Sequence, residues 1–296
     1  MKSLLLLILS ILLTCFTKAQ LLPYPNNNQA ILWEVSHPES SEKSYILGTM
    51  HIIEKEYFLF PKELKKALKK SNSLILELEE LPNPASLLKY TKLDKGNFFD
   101  YFSSEETDSI IDWAKNRLQL RPQVFRSAFY NTIPFVVSQI ATQSLFDGKT
   151  ESYEKKIYQY SKEKKLPIIG LETLKFQISL MDTLPMNIQK RMLLDIISSE
   201  KEVKENLLNL QKTYRDQKLD SLYHELNKEF SSFDNYEDIF IKNRNQNWLP
   251  VLEENFKKTS CFVAVGAGHV GGPNGLLQLL TLKGYHLKPI YFKKKQ

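Results

Sequence analysis

Ser260-Cys261-Phe262-Val263-Ala264-Val265-Gly266-Ala267-Gly268-His269-Val270-Gly271-Gly272 is the stretch whose reading decides the fold. Its first six residues form a short, almost wholly apolar run, which reads as a buried strand. A glycine-rich loop, Gly266 to Asn274, follows. Gly275 to Lys283 then has helical character and ends at Gly284, and His286 to Phe292 reads as a last strand. Glycine after helical spacing is a stop signal. Near the other end of the chain the same shape occurs: Ser44-Tyr45-Ile46-Leu47 leads into Gly48-Thr49-Met50-His51. Both motifs deliver a histidine three residues after a glycine that follows an apolar strand. Glycine permits a sharp exit from a sheet, so both imidazoles are expected at the sheet's carboxyl edge, where open α/β sheets place ligands.

Working outward, Ile31 to Val35 and Ser44 to Leu47 flank a polar turn at His37 to Lys43, a hairpin signal. Pro61 to Lys70 reads as a helix with proline at its first position. Leu74-Ile75-Leu76-Glu77-Leu78-Glu79 is a strand with an apolar start and a polar end. Residues 84 to 256 are mainly helical, with apolar residues at helical spacing in Ser104 to Arg117, Thr132 to Phe146, Glu154 to Lys164, Asn187 to Leu210, Asp216 to Glu229 and Tyr236 to Phe256. One strand, Leu166 to Leu171, interrupts them. Buried strands alternating with helices predict an α/β fold: a central mixed sheet flanked by helices, with a large helical insertion over about 84–256. No repeat of solenoid length is present.

The chemistry-bearing residues cluster at predicted strand ends. Neutral imidazole is the commonest nitrogen ligand of zinc and suits other divalent metals. Two far-separated histidines delivered alike suggest a shared ion, whereas one such motif alone would read as a loop histidine bonded to backbone. Glu77 and Glu79 project to one face of their strand, so one of them can reach the site while the other fills the rim. Glu172 follows Ile168-Ile169-Gly170-Leu171 in the same manner. Two histidines with one or two carboxylates describe an open metal site that keeps a position for water; the metal would acidify that water and a spare carboxylate would act as base. Arg244-Asn245, with Trp248 one turn on, could bind a developing oxyanion or a substrate carboxylate.

Composition and motif content exclude several classes. Of 296 residues, 42% are hydrophobic and 25% charged, enough apolar material for a core and contrary to disorder. The net charge of +6 is spread along helical stretches and a Lys293-Lys294-Lys295 tail, without the arginine stripe and interleaved aromatics of a nucleic-acid surface. Gly266-Ala267-Gly268-His269-Val270-Gly271 has the GxGxxG spacing, but no acidic residue ends the following strand and too little chain remains to complete a dinucleotide site. There is no GxSxG elbow, no HExxH and no CxxC. Met1-Lys2, the apolar run Leu4 to Leu13 and Thr17-Lys18-Ala19 have the form of a secretory signal over residues 1–19, cleaved after Ala19. A periplasmic or extracellular protein is therefore expected, with residues 20–296 as a single domain. Thr14 before Cys15 departs from the small residue of a lipobox. Cys261 alone survives cleavage, so no internal disulfide is available, and no other segment is long and apolar enough to span a membrane.

The blocks Leu32-Trp33-Glu34-Val35, Tyr45 to His51, Leu74 to Glu79, Gly170-Leu171-Glu172-Thr173 with Gln177, Arg244-Asn245 with Trp248, and Val265 to Gly272 through Gly275-Leu276-Leu277 to Gly284-Tyr285 resemble, in order and spacing, the TraB/GumN (TraB/PrgY/GumN) family. That resemblance implies a fold similar to erythromycin esterase and to a haem-binding iron-uptake lipoprotein group, and an activity similar to Tiki-like metalloproteases. By position it implies that His51, His269 and Glu77 are metal ligands, and that Glu77, Glu172, Arg244 and Asn245 do the chemistry. Gly48 and Gly266 complete the motifs, and Glu154 matches an acid carried before a helix. It further implies zinc, manganese or cobalt as cofactor and a peptide or protein as substrate, the bond being a peptide or another acyl bond and the base Glu77 or Glu172. A non-catalytic envelope protein that captures haem or a peptide in the same cleft is the alternative. Met50, where Ile or Val is commoner, is a conservative departure.

Overall fold

The computed structural model describes residues 30–230, 235 and 237–293. The expected leader over residues 1–19, with Cys15, and most of the lysine tail lie outside them. Six strands form one mixed sheet: β1 (Leu32–Ser36), β2 (Lys43–Thr49), β4 (Ser73–Leu78), β6 (Ile168–Glu172), β7 (Cys261–Gly266) and β8 (His286–Ile290), in the spatial order β6-β4-β7-β2-β1-β8. The strands β6, β4, β7 and β2 run parallel, and β1 is antiparallel to both β2 and β8. The fold is thus the expected α/β type with a mixed central sheet and flanking helices.

The arrangement follows from the sequence patterns. The hairpin β1–β2 pairs Leu32 with Leu47 and Ser36 with Lys43 around the polar turn. All of β7 except its last residue is fully buried, as an apolar run with no polar alternation requires. It lies between β4 and β2, so strands distant in sequence become neighbours. Thr49 stands opposite Gly266 in the β2–β7 ladder. The two GxxH motifs therefore leave adjacent parallel strands side by side at the carboxyl edge. β4 and β6 end at the same edge and bring Glu77 and Glu172 to it.

Some elements differ from expectation. The predicted helix Asn187 to Leu210 is two helices, Met186–Ser198 and Glu200–Arg215, broken at Ser199 (φ −123°, ψ 35°). Neither Gly nor Pro marks that break, so the periodic pattern runs through it. Tyr236 lies outside the described residues, and the rest of its predicted helix divides into a π-helical turn, Asp238–Lys242, and the α-helix Asn243–Lys258. Helices at Pro84–Tyr90, Pro122–Phe129 and Leu174–Asp182 are additional, as is a two-stranded ribbon of β3 (Ile53–Glu54) and β5 (Thr150–Glu151). The ribbon is pinned by Glu54, whose Oε1 accepts from the Asp147 and Gly148 amides while its own amide donates to Gln211.

Two apolar cores result. One covers both faces of the sheet. The other, built on Phe98, Ile110, Phe125, Val137 and Leu193, joins helices that lie between β4 and β7 in the chain. No helix among the described residues is long and apolar enough to cross a membrane.

Candidate active site

Gly266 lies at the centre of the site. A Cβ there would sit 3.4 Å from Glu77 Oε1, 3.8 Å from His51 Nε2 and 3.8 Å from His269 Cδ2. Three of the expected functional side chains thus surround one point. The backbone of Gly266 (φ −51°, ψ 138°) is open to any residue, so this glycine is needed for the space it leaves and not for its conformational freedom. Gly48 has a related role: a Cβ there would come within 3.1 Å of Ala267 Cα, so the first motif must be bare for the second to pack on it.

His51 is the side chain open to solvent, 68% exposed. Its Nδ1 lies 3.0 Å from Glu154 Oε1, and that carboxylate also accepts from the Thr49 and Ser152 hydroxyls. The Glu154 carboxylate requires a proton on Nδ1. The neighbouring charge of Glu154 raises the imidazole to about 9. His51 Nε2 faces the cleft and has no hydrogen-bond partner among the described residues.

His269 is buried and held on both ring nitrogens. Its Nδ1 is 2.8 Å from Asn245 Oδ1, and Asn245 Nδ2 donates to the carbonyls of His269 and Asn274. Its Nε2 is 2.9 Å from Arg244 Nη1. Arginine only donates, so Nε2 carries the lone pair and Nδ1 the proton. Burial drives the imidazole down to about 3, in accord with that neutral form. The ring packs on Trp248 with centroids 4.3 Å apart.

Arg244 ties the remainder together. Its Nε donates to Glu172 Oε1; Nη1 donates to the Phe240 carbonyl and to His269; Nη2 donates to Glu77 Oε2 and Glu172 Oε2. All five of its N–H bonds are engaged. The π-helical turn before it supplies the Phe240 carbonyl, a use of such turns common near functional sites. Glu172 is filled on both oxygens, by Arg244, Trp248 Nε1 and Gln177, and so anchors the guanidinium. Glu77 accepts from Gln177 and Arg244 on Oε2 and from the Gly266 amide on Oε1. Burial would raise its carboxyl, but the His269, His51 and Arg244 groups and the Gly266 amide outweigh burial and hold it at about 2. Glu79 is exposed at the rim.

Glu77 and Glu172 face the guanidinium of Arg244, and Glu154 faces the His51 imidazole. Two donors face the space beside Gly266, His51 Nε2 and Glu77 Oε1. His269 comes to the same place but gives its lone pair to Arg244. No group of three or more His, Cys, Asp or Glu side chains among the described residues is spaced to hold a metal.

An α/β sheet whose parallel strands end in paired GxxH motifs, with a buried Arg–carboxylate cluster between them, defines a class of protein with its site at the sheet's carboxyl edge. The model of the TraB/PrgY/gumN family matches residues 31–289, and the chain belongs to that family. No curated protein and no solved structure matches it significantly. The site residues carried by the motifs converge. Gln139, which lines both cavities beside the site, carries no motif in the sequence: it sits in an ordinary amphipathic helix, Pro134–Ser144.

Proposed function

We propose that the protein is a metal-assisted hydrolase of acyl bonds, most simply a peptidase, exported to the cell envelope. Export rests on the apolar leader of residues 4–13 alone. The observation that carries the catalytic reading is the orientation of His51: Glu154 holds its Nδ1–H so that Nε2 points into an open cleft toward Glu77 Oε1. A carboxylate behind a ligating imidazole fixes its tautomer and raises its basicity. His51 Nε2 and Glu77 Oε1 would hold a zinc, manganese or cobalt ion. When bound, that ion supplies a Lewis acid and lowers the pKa of its water.

The chain's own residues then divide the work. Glu77 remains ionised through the physiological range because Arg244 and the Gly266 amide support it. Glu172 and Gln177 hold Arg244 and Glu77 in register. Asn245 and Arg244 fix His269 as a neutral wall of the site. Arg244 keeps a full positive charge beside the reaction space, although its N–H bonds are already committed, so its effect there is electrostatic.

Metal titration of purified mature protein, together with hydrolysis of a quenched peptide library and of acyl esters with zinc, manganese or cobalt, tests the reading. Metal-dependent turnover that disappears in His51→Ala and Glu77→Gln is expected. Equal turnover in both variants and the parent would overturn it; a Soret band on adding haem, with no hydrolysis under any metal, would favour a binding protein instead.

A further inference from the structure

Two cavities meet at His51. One, of about 420 Å³, is walled by Met50, Ile52, Phe146, Leu210, Leu226 and Ile241. The other, of about 560 Å³, is walled by Leu78, Leu81, Phe135, Leu174, Ile178 and Met181. They share His51, Gln139, Phe240 and Arg244. The polar groups of the site thus occupy the junction of two apolar lobes. Leu226 and Ile241 close the first lobe over the second motif, within 3.6 Å of the position a Cβ on Gly268 would take. Gln139 borders both lobes, is exposed, and its side-chain amide has no hydrogen-bond partner among the described residues. A primary amide both donates and accepts, which matches a backbone peptide group.

Resting on the hydrolase reading above, we propose that the substrate is a polypeptide segment with a large apolar side chain on each side of the scissile bond, one filling each lobe, and that Gln139 holds its backbone. Apolar side chains gain by leaving water for such walls, and a chain that enters one lobe and leaves by the other crosses the reaction space between them. An acyl ester with one apolar arm would fill one lobe only. The chemistry is hydrolysis: water adds to the carbonyl carbon, the C–N bond breaks, the nitrogen takes a proton, and the products are a carboxylate and an amine.

The test uses the full mature protein with zinc, manganese or cobalt, and capped peptides carrying Leu or Phe on both sides, on one side, or on neither. Doubly apolar peptides should be cleaved with kcat/KM at least about 10-fold above either singly apolar set, each side adding selectivity of the size a hydrophobic pocket provides. Leu226→Glu should erase the preference on one side of the bond and Met181→Glu that on the other; melting curves confirm that each variant folds. Gln139→Ala should raise KM more than it lowers kcat. Reduced-amide analogues, which cannot be cleaved, measure binding independently of turnover. Tight binding of the doubly apolar analogue without hydrolysis would sustain the substrate assignment and sink the hydrolase reading. Cleavage indifferent to the flanking residues, or of esters alone, would overturn the assignment and leave the hydrolase reading standing.

Discussion

Arg244 Nη1 donates to His269 Nε2 across 2.9 Å, and this contact changes what both residues can do. The bond occupies the lone pair through which a histidine would ligate, and it uses the last donors of a guanidinium that also serves two carboxylates and a backbone carbonyl. Arg244 is thereby the joint between β4, β6, β7 and the helix Asn243–Lys258, and the open chemistry passes to His51.

Removing that joint strands two buried carboxylates. Breaking a buried ion pair from one side typically costs about 3–5 kcal/mol, so Arg244→Ala should lose about that much in urea unfolding, with no activity. Arg244→Lys keeps the charge but not the planar fork that reaches Glu77 and Glu172 together, and should recover only part of the loss. A change below about 1 kcal/mol in Arg244→Ala would show that the cluster is not coupled as described.

Glu154→Gln tests the orientation of His51. The amide fills the same volume but no longer supplies the charge behind Nδ1, and loss of such a partner typically weakens metal binding by ~10–100-fold. Calorimetric titration with zinc should show that decrease while circular dichroism stays unchanged. In the metal-free protein, the His51 imidazole should fall from about 9 toward its ordinary range, visible by NMR titration. Unaltered zinc affinity would separate Glu154 from the site.

Much of this was legible in the sequence because the informative residues stand at strand ends. The runs ending at Thr49, Leu78 and Gly266 are short, apolar and bounded by polar residues or glycine, which fixes both the strands and the edge where their neighbours emerge. The strand order was not legible: β7 enters between β2 and β4 by pairing across some two hundred residues, and no local pattern encodes that. The helices at Pro122–Phe129 and Leu174–Asp182 are too short to build a strong periodic signal. The reason for glycine at 266 was also hidden. The sequence suggests a turn, whereas the backbone is ordinary and the requirement is the empty space that three other segments surround.

The charged cluster sets a pH profile. Glu77 titrates near 2 in the fold against an ordinary 4.5, and His269 near 3 against 6.5. Both folded values lie below the unfolded ones, so the unfolded chain takes up protons first as the pH falls, and stability is lost from about 6.5 downward. His51 lies the other way, near 9 against 6.5; its contribution is complete below 6.5 and disappears as the pH rises toward 9. Metal-free protein should therefore unfold at the highest urea concentration near pH 6.5. Glu77→Gln should flatten the limb between 4.5 and 2, and His51→Gln the limb above 6.5. A parent that gains stability on acidification from 6.5 to 3 would contradict the assignment.

Gly266→Ala separates space from structure. The backbone at 266 suits alanine, and the added methyl would meet its neighbours at 3.4–3.8 Å, ordinary van der Waals contact. Folding should therefore be little affected, with a change within about 0.5 kcal/mol as for a strain-free substitution. The methyl nevertheless occupies the point between Glu77 Oε1 and His51 Nε2, where an ion or a water must stand. Zinc binding and hydrolysis should both fall by at least about 100-fold, the scale on which small displacements of reacting groups act, while the melting curve overlays that of the parent. Retained turnover in a folded Gly266→Ala protein would place the reaction elsewhere in the cleft. Loss of fold would instead mean that the 3.4 Å contact with Glu77 Oε1 cannot yield.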